Sequence, residues 1–289
     1  MIVPEFEYLV PETLREACAM LGEHGADARV LAGGSDLIVK MKHGLLKPKY
    51  LVSMKKLKEL RGVRHEPGVG VMIGSRTTHN EIIASPVLRG RFPSICGAAG
   101  TMAAYQICNV GTIGGNLVNA VPSADLPPIL IALDARARIA GEAGERVVAL
   151  EEFFLGPGKT VLREGEILAE IVIPDQPTTG SHYIKFGLRR AGALAVVGVA
   201  SSVRLAGEQL NDVRIVLGAV APVPMRARGA EDTLRGKRPT KELIDRAGEA
   251  AAAESRPITD IRGSVEYRRH LVGVLTKRSL RAAIEKGHC

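Results

Sequence analysis

The sequence predicts an α+β protein built from an N-terminal βαβ unit, a mixed middle segment and a C-terminal part in which strands precede helices. Three observations carry that prediction. The first is a helical stripe flanked by short apolar runs within residues 1 to about 60. The second is a turn-rich break, Gln176-Pro177-Thr178-Thr179-Gly180. The third is the order beyond it, three strand-like runs and then two long helical patterns. The domains expected are 1–176, with subdomains of about 1–60 and 61–176, and 180–289.

In the first unit, Leu14, Ala17, Cys18 and Leu21 fall at i, i+3, i+4 and i+7, the apolar stripe of a helix. Gly22 and Gly25 end it. Ala28 to Leu31 reads as a strand closed by Gly33-Gly34, a second helix starts near Asp36, and Tyr50-Leu51-Val52 returns as a strand. In the middle segment Val69 to Ile73 is strand-like. Thr78-His79-Asn80-Glu81 is a capping box and opens a helix. Ala124 to Leu133 reads as a helix with Pro127 and Pro128 in its first turn. Glu166 to Ile173 is a strand ended by Pro174. Beyond the break, strands are expected at about 182–188, 194–204 and 212–220, and helices at Thr240 to Glu254 and Ser264 to Lys286.

The 289 residues, 46% hydrophobic and 24% charged, are enough for a sizeable core. No apolar run approaches the roughly 20 residues of a spanning helix. Met1 to Glu7 lacks the basic start of a secretory signal. Cys18, Cys96, Cys108 and Cys289 show no pairing rhythm, which fits a reducing, cytoplasmic setting. The net charge of +8 suits an anionic cofactor or an acidic partner. With no tryptophan, five Tyr and five Phe, stacking platforms for single strands are scarce. The lysines from Lys40 to Lys58 read as a solvated face or a subunit contact.

Several motif look-alikes fail. Gly68, Gly70 and Gly74 lie in a strand pattern with no helix directly after them, unlike a dinucleotide fingerprint. Gly158-Lys159-Thr160 imitates a P-loop, but Phe153 stands where the motif needs glycine. Ser35 lacks the glycine of a nucleophile elbow. The seven histidines are dispersed, so no zinc site and no catalytic side chain is expected; His79 reads as part of a helix start and Cys18 as a buried structural thiol.

Two glycine-rich segments remain. In Leu31-Ala32-Gly33-Gly34-Ser35-Asp36-Leu37, paired glycines between strand and helix allow close approach to a phosphate and an anion nest of N–H groups. Ser35 offers a hydroxyl, and Asp36, which would repel a phosphate, is expected to cap the helix. Gly111-Thr112-Ile113-Gly114-Gly115-Asn116 offers similar chemistry, with Ser123 and Asp125 nearby; Asp125 is suited to accept from a ribose hydroxyl. Two such loops suggest a long ligand held from two sides. Two glycine turns in a packed α/β domain are the competing reading.

The pairing of Ala32-Gly33-Gly34-Ser35-Asp36-Leu37 with Gln106-Ile107-x-Asn109-x-Gly111-Thr112-Ile113-Gly114-Gly115-Asn116-Leu117 resembles the FAD subunit of the xanthine dehydrogenase and carbon monoxide dehydrogenase family of molybdenum hydroxylases. The likeness continues, in order, through Asp125-Leu126-Pro127-Pro128, Phe153-Phe154-x-Gly156-Pro157-Gly158-x-Thr160, Gly165-Glu166-Ile167-Leu168 and Tyr183-x-Lys185-Phe186. It ends with Gly218-Ala219-Val220-Ala221-Pro222-x-Pro224-x-Arg226 and Tyr267-Arg268, so it spans essentially the whole chain.

The resemblance implies a vanillyl-alcohol-oxidase/PCMH-type FAD-binding fold in two subdomains, followed by a CO-dehydrogenase-flavoprotein-like C-terminal domain. It implies that Leu31 to Leu37 and Thr112 to Asn116 wrap the FAD pyrophosphate and that Asp125 contacts the ribose or adenine end. Ala103, Leu168 and Lys185 match positions near or lining the cofactor. The implied partners are a large molybdopterin subunit, where substrate is oxidised, and a small subunit with two [2Fe–2S] clusters. Electrons would reach FAD here and leave to NAD, a quinone, oxygen or a carrier protein. A stand-alone flavin oxidase and a scaffold without FAD are the rival classes. The chain departs from the family at Cys108, usually Arg, and at Ala193, often Asp; both bear on the charge near the flavin. It also lacks the cysteine-bearing insertion of the 4-hydroxybenzoyl-CoA reductase branch, so no iron–sulfur cluster is expected in this subunit.

Overall fold

The computed structural model describes residues 3–176 and 179–287. The first unit is β1 (Glu7–Leu9), α1 (Leu14–His24), β2 (Ala28–Leu31), α2 (Leu37–Lys42) and β3 (Tyr50–Ser53). Its three strands pair in parallel in the order β1-β3-β2, as short crossovers through a helix require. Ala17, Cys18 and Leu21 of α1 are buried, so the apolar stripe faces the core. Gly22 lies inside the helix, and Gly25 (φ +47) caps it. The Cys18 thiol points at the Ala140 carbonyl oxygen, 3.6 Å away.

The second unit begins with β4 (Val63–Glu66) and β5 (Gly70–Gly74). Six helices follow: α3 (His79–Ala84), α4 (Pro86–Arg91), α5 (Pro93–Gly100), α6 (Tyr105–Cys108), α7 (Ile113–Val118) and α8 (Leu126–Ala132). Then come β6 (Arg136–Gly141), β7 (Gly144–Ala149), the small hairpin β8 (Phe154–Gly156) with β9 (Lys159–Thr160), and β10 (Ile167–Ile173). β10 enters the middle of an antiparallel sheet ordered β4-β5-β10-β6-β7. Its residues Leu168, Ile171 and Ile173 join α5, α7 and α8 in the largest core. The capping box at Thr78 forms as predicted, with Glu81 accepting from the Thr78 N–H at 2.8 Å. Gly111 to Asn116 is not a free loop but runs directly into α7, whose cap is Thr112.

The third unit holds β11 (Thr179–Phe186), β12 (Val197–Ala206), β13 (Gln209–Gly218) and β14 (Met225–Arg226) in one antiparallel sheet. α9 (Arg228–Leu234), α10 (Lys241–Glu254) and α11 (Val265–Gly287) follow. The strands begin and end a few residues from the predicted positions, because tight turns at Gly207 and the loop 187–196 set the register, not apolar alternation. Of the predicted break, residues 177 and 178 lie outside the described residues, as do Cys289 and His288; Thr179 already begins β11. The sequence does not foreshadow α9, whose seven residues carry too little periodicity.

The C-terminal sheet packs on the second unit through α8. Tyr183, Ala200 and Val216 belong to the same core as Leu126, Ile129 and Leu130. Two glycines make the seat. A Cβ on Gly218 would lie 2.8 Å from Pro128 Cγ, and one on Gly198 would lie 2.7 Å from the Tyr183 hydroxyl.

Candidate functional site

A cavity of about 1100 Å³ opens where the first two units meet. That is at or above the top of the roughly 300–1,000 Å³ range of cofactor and small-molecule sites, room for a long ligand. One wall is Ala32, Gly33, Gly34, Ser35, Asp36 and Leu37; another is Thr112, Gly114, Gly115 and Asn116. Ala103, Asp125 and Leu168, expected at the site, also line it. Leu31, Ile113 and Lys185 do not. Leu31 belongs to β2, Ile113 is fully buried in the core, and Lys185 reaches the site only through Asp125.

The two glycine segments do different work. The backbone N–H groups of Ala32 to Asp36 donate to no other described residue, and Gly34 (φ +74) turns the chain so that they remain available to a ligand. This is the nest expected for an anion. In the second segment four amides are already committed: Ile113 donates to Thr77 O, Gly114 to Ser75 O, Gly115 to Thr112 Oγ1 and Asn116 to Thr112 O, while the Thr112 N–H donates to no other described residue. The reason for glycine also differs from expectation. A Cβ on Gly33 would overlap the Val110 carbonyl oxygen, and one on Gly114 would lie 2.7 Å from the Ser75 carbonyl oxygen. These glycines let the segments pack against neighbouring backbone. Asp36 sits at the cap position of α2, yet its carboxylate makes no capping bond, because its backbone is helical (φ −100, ψ −44) rather than extended. It lines the cavity instead.

Several lining residues carry no sequence signal. Lys40, read as part of a solvated or contact face, turns inward and donates to Asn119 Oδ1 at 2.6 Å. Lys49 and Lys56 keep to the surface, paired with Asp27 and Glu12. Arg29 and Arg76 also line the cavity, with guanidinium groups held by the carbonyls of Ala26, Ala28 and Leu57. The lining also holds the carboxylates of Asp36, Asp125, Glu164 and Glu166, so it is the free amides of residues 32–36 that single out a place for negative charge. Of the two departures from the family pattern, Ala193 lines the cavity, whereas Cys108 is buried with its thiol on the Met102 carbonyl oxygen.

His79 lines the cavity but is only 4% exposed, and its Nδ1 has no partner among the described residues. Burial pushes its pKa down to about 4. The neutral ring is favoured in the folded chain, so stability is intact above the unfolded value near 6.5. It is lost as pH falls from there through about 4. A shift of this size corresponds to roughly 3 kcal/mol. Urea unfolding of His79→Phe should show a flatter loss of stability over that window than the wild-type chain; equal slopes would show that His79 is not the titrating group.

Asp125, 5% exposed, takes a hydrogen bond from the Tyr183 hydroxyl (2.7 Å) and one from Lys185 Nζ (2.7 Å). Burial raises its pKa, opposed by the nearby Lys185 charge and the two bonds. The site also contains a buried acceptor, Asn116 Oδ1, with no partner among the described residues. Leu168 enters the cavity at a β-bulge in β10, where Ala169 O accepts from the Ser75 N–H. Among the described residues no group of His, Cys, Asp and Glu is placed to hold a metal, and no helix is long and apolar enough to cross a membrane.

The geometry agrees with what the chain resembles. Residues 4–176 match the family described as FAD binding domain in molybdopterin dehydrogenase, and residues 182–283 match the CO dehydrogenase flavoprotein C-terminal domain. The carbon monoxide dehydrogenase medium chain of Hydrogenophaga pseudoflava is 39% identical over 98% of each chain. The putative xanthine dehydrogenase FAD-binding subunit of Escherichia coli is 32% identical over 94% of each. Among solved structures, a chain of the Hydrogenophaga pseudoflava carbon monoxide dehydrogenase superposes with a TM-score of 0.95, covering 99% of both chains at 39% identity. A chain of quinoline 2-oxidoreductase from Pseudomonas putida superposes at 0.92 with 30% identity, over 99% of this chain and 100% of that one. A family match over both parts of the chain, relatives above 30% identity over nearly their full length, and a cavity walled by an amide nest together identify the chain as a member of the FAD-binding medium-subunit family of molybdopterin-dependent oxidoreductases.

Proposed function

We propose that this chain is the electron-transfer subunit of a heterotrimeric molybdenum hydroxylase, taking electrons from the [2Fe–2S] clusters of a small subunit and passing them to an external acceptor. A large subunit would carry molybdopterin and oxidise the organic substrate. NAD, a quinone, oxygen or a carrier protein would be the acceptor. The proposed setting is the cytoplasm, supported by the free thiols of Cys18, Cys96 and Cys108.

The observation that carries the reading is the cavity, with its free amides from Ala32 to Asp36. FAD, when bound, supplies the one- and two-electron chemistry that side chains lack. The residues present fit it. The nest and the cations Arg29, Lys40 and Arg76 suit a diphosphate; Ser35 and Thr112 add hydroxyls. Asn116 Oδ1 and Asp125 offer acceptors for ligand hydroxyls, and the Leu168 and Ala103 side chains present apolar surface. The outer residues of the expected set, Leu31, Ile113 and Lys185, support the lining residues from behind.

The test is an absorbance spectrum of the purified chain, then of the chain with its large and small partner subunits. Flavin bands that bleach with substrate only when both partners are present support the proposal. Flavin reduced by a small substrate without partners would replace it with a self-sufficient oxidase, and no flavin after reconstitution would leave a scaffold.

A further inference from the structure

Asp125 is the one acidic residue of the cavity wall whose two carboxylate oxygens are both held from the C-terminal sheet. Tyr183 and Lys185 stand two apart on β11, so both side chains leave the same face of the sheet. Lys185 Nζ grips Oδ2 and also the Thr101 carbonyl oxygen, at 3.0 Å. One flexible ammonium leaves the carboxylate free to turn about its Cβ–Cγ bond. The Tyr183 hydroxyl on Oδ1 supplies the second fixed point and sets the plane of the carboxylate. The phenol reaches Asp125 because β12 carries a glycine beside it, Gly198, where any Cβ would lie 2.7 Å from the hydroxyl. Tyr183 lines no part of the cavity.

We propose that Tyr183 is a positioning residue for cofactor binding: it orients the Asp125 carboxylate toward a ligand hydroxyl, so the C-terminal sheet helps set the affinity of a site formed mainly by the first two units. The proposal rests on reading the cavity as the FAD site. It differs from an ordinary buried hydroxyl that needs a partner, because the partner chosen is a cavity residue and the second grip, from Lys185, comes from the same strand.

The experiment measures FAD dissociation constants of the full-length chain after flavin removal, by fluorescence titration with FAD. Tyr183→Phe keeps the ring and removes the donor. It is expected to weaken FAD binding roughly tenfold, the usual worth of one hydrogen bond to a charged group. Gly198→Ala, which pushes the hydroxyl off its acceptor, should weaken it in the same direction. The decisive readout is coupling. In an Asp125→Ala chain, Tyr183→Phe should cost nothing further, since no carboxylate remains to orient. Should that chain fail to fold, Asp125→Asn serves as the background, and the effect of Tyr183→Phe should shrink. A Tyr183→Phe defect that persists undiminished without the Asp125 carboxylate would mark a purely structural tyrosine and overturn the proposal. Wild-type affinity in Tyr183→Phe, or in Asp125→Ala, would overturn it too while leaving the FAD site standing. A wild-type chain that takes up no FAD would remove the reading on which the proposal rests.

Discussion

Gly33→Ala is expected to abolish flavin binding and to lower stability by about 1–3 kcal/mol or more, the cost of forcing atoms into a filled space. The added methyl would overlap the carbonyl oxygen of Val110 and come 3.2 Å from Gly111 Cα, both backbone atoms that no rotamer change can move. The two glycine segments would separate at the point where they enclose the cavity. Gly97→Ala in α5 is the contrasting case: a methyl there would meet nothing within 4 Å, and alanine favours a helix by roughly 0.5–1 kcal/mol. Thermal melts with flavin titrations of both variants check this. A Gly33→Ala chain that retains flavin normally would show that the loops do not need this approach.

Glu231→Ala is expected to destabilise the C-terminal domain by about 3–5 kcal/mol, as breaking a buried ion pair does. Glu231 is 0% exposed and accepts from the Ile215 N–H at 3.0 Å and from Arg226 at 2.9 and 2.6 Å. It therefore joins α9, β13 and β14 at a single carboxylate. Removing it strands Arg226, 14% exposed, with only Glu151 at 3.5 Å in reserve. Chemical denaturation is the measurement, and a loss below about 1 kcal/mol, the scale of a surface pair, would show that Glu151 takes over. Because Tyr183 and Lys185 sit on the same sheet, weaker flavin retention should accompany the loss.

The chain is unevenly legible for physical reasons. α1, α10 and α11 are readable because each commits a periodic face to one core, and β10 because it is a short, nearly continuous apolar run buried on both faces. The capping box at Thr78 is readable because both of its bonds are local. The N-terminal βαβ unit follows from the alternation of short strands and a striped helix. α9, by contrast, is short and held by a distant carboxylate network, and α7 hides behind glycines that normally interrupt helices.

The site divides the same way. The Gly33 and Gly114 segments stand out because glycine at those spacings is itself a signal, although its cause is not the expected one: the close approach is to Val110 and Ser75 backbone. Asp36 was expected to cap α2, a local event, and does not because its backbone is already helical. Lys40 carries no motif and His79 only that of a helix start, and only folding brings them to the cavity.

By itself, then, the sequence determined the class of fold, the family and two of the segments that line the cavity, since these depend on periodicity, glycine spacing and the ordered set of motifs. Tertiary structure alone decided which atoms face the cavity: that the first segment keeps its amides free while the second uses most of its own, that Lys185 is bonded to Asp125, and that a tyrosine from the C-terminal sheet holds that carboxylate. The grips on Asp125 rest on contacts between residues 58 or more positions apart, whose hydrogen-bond partners no local pattern encodes.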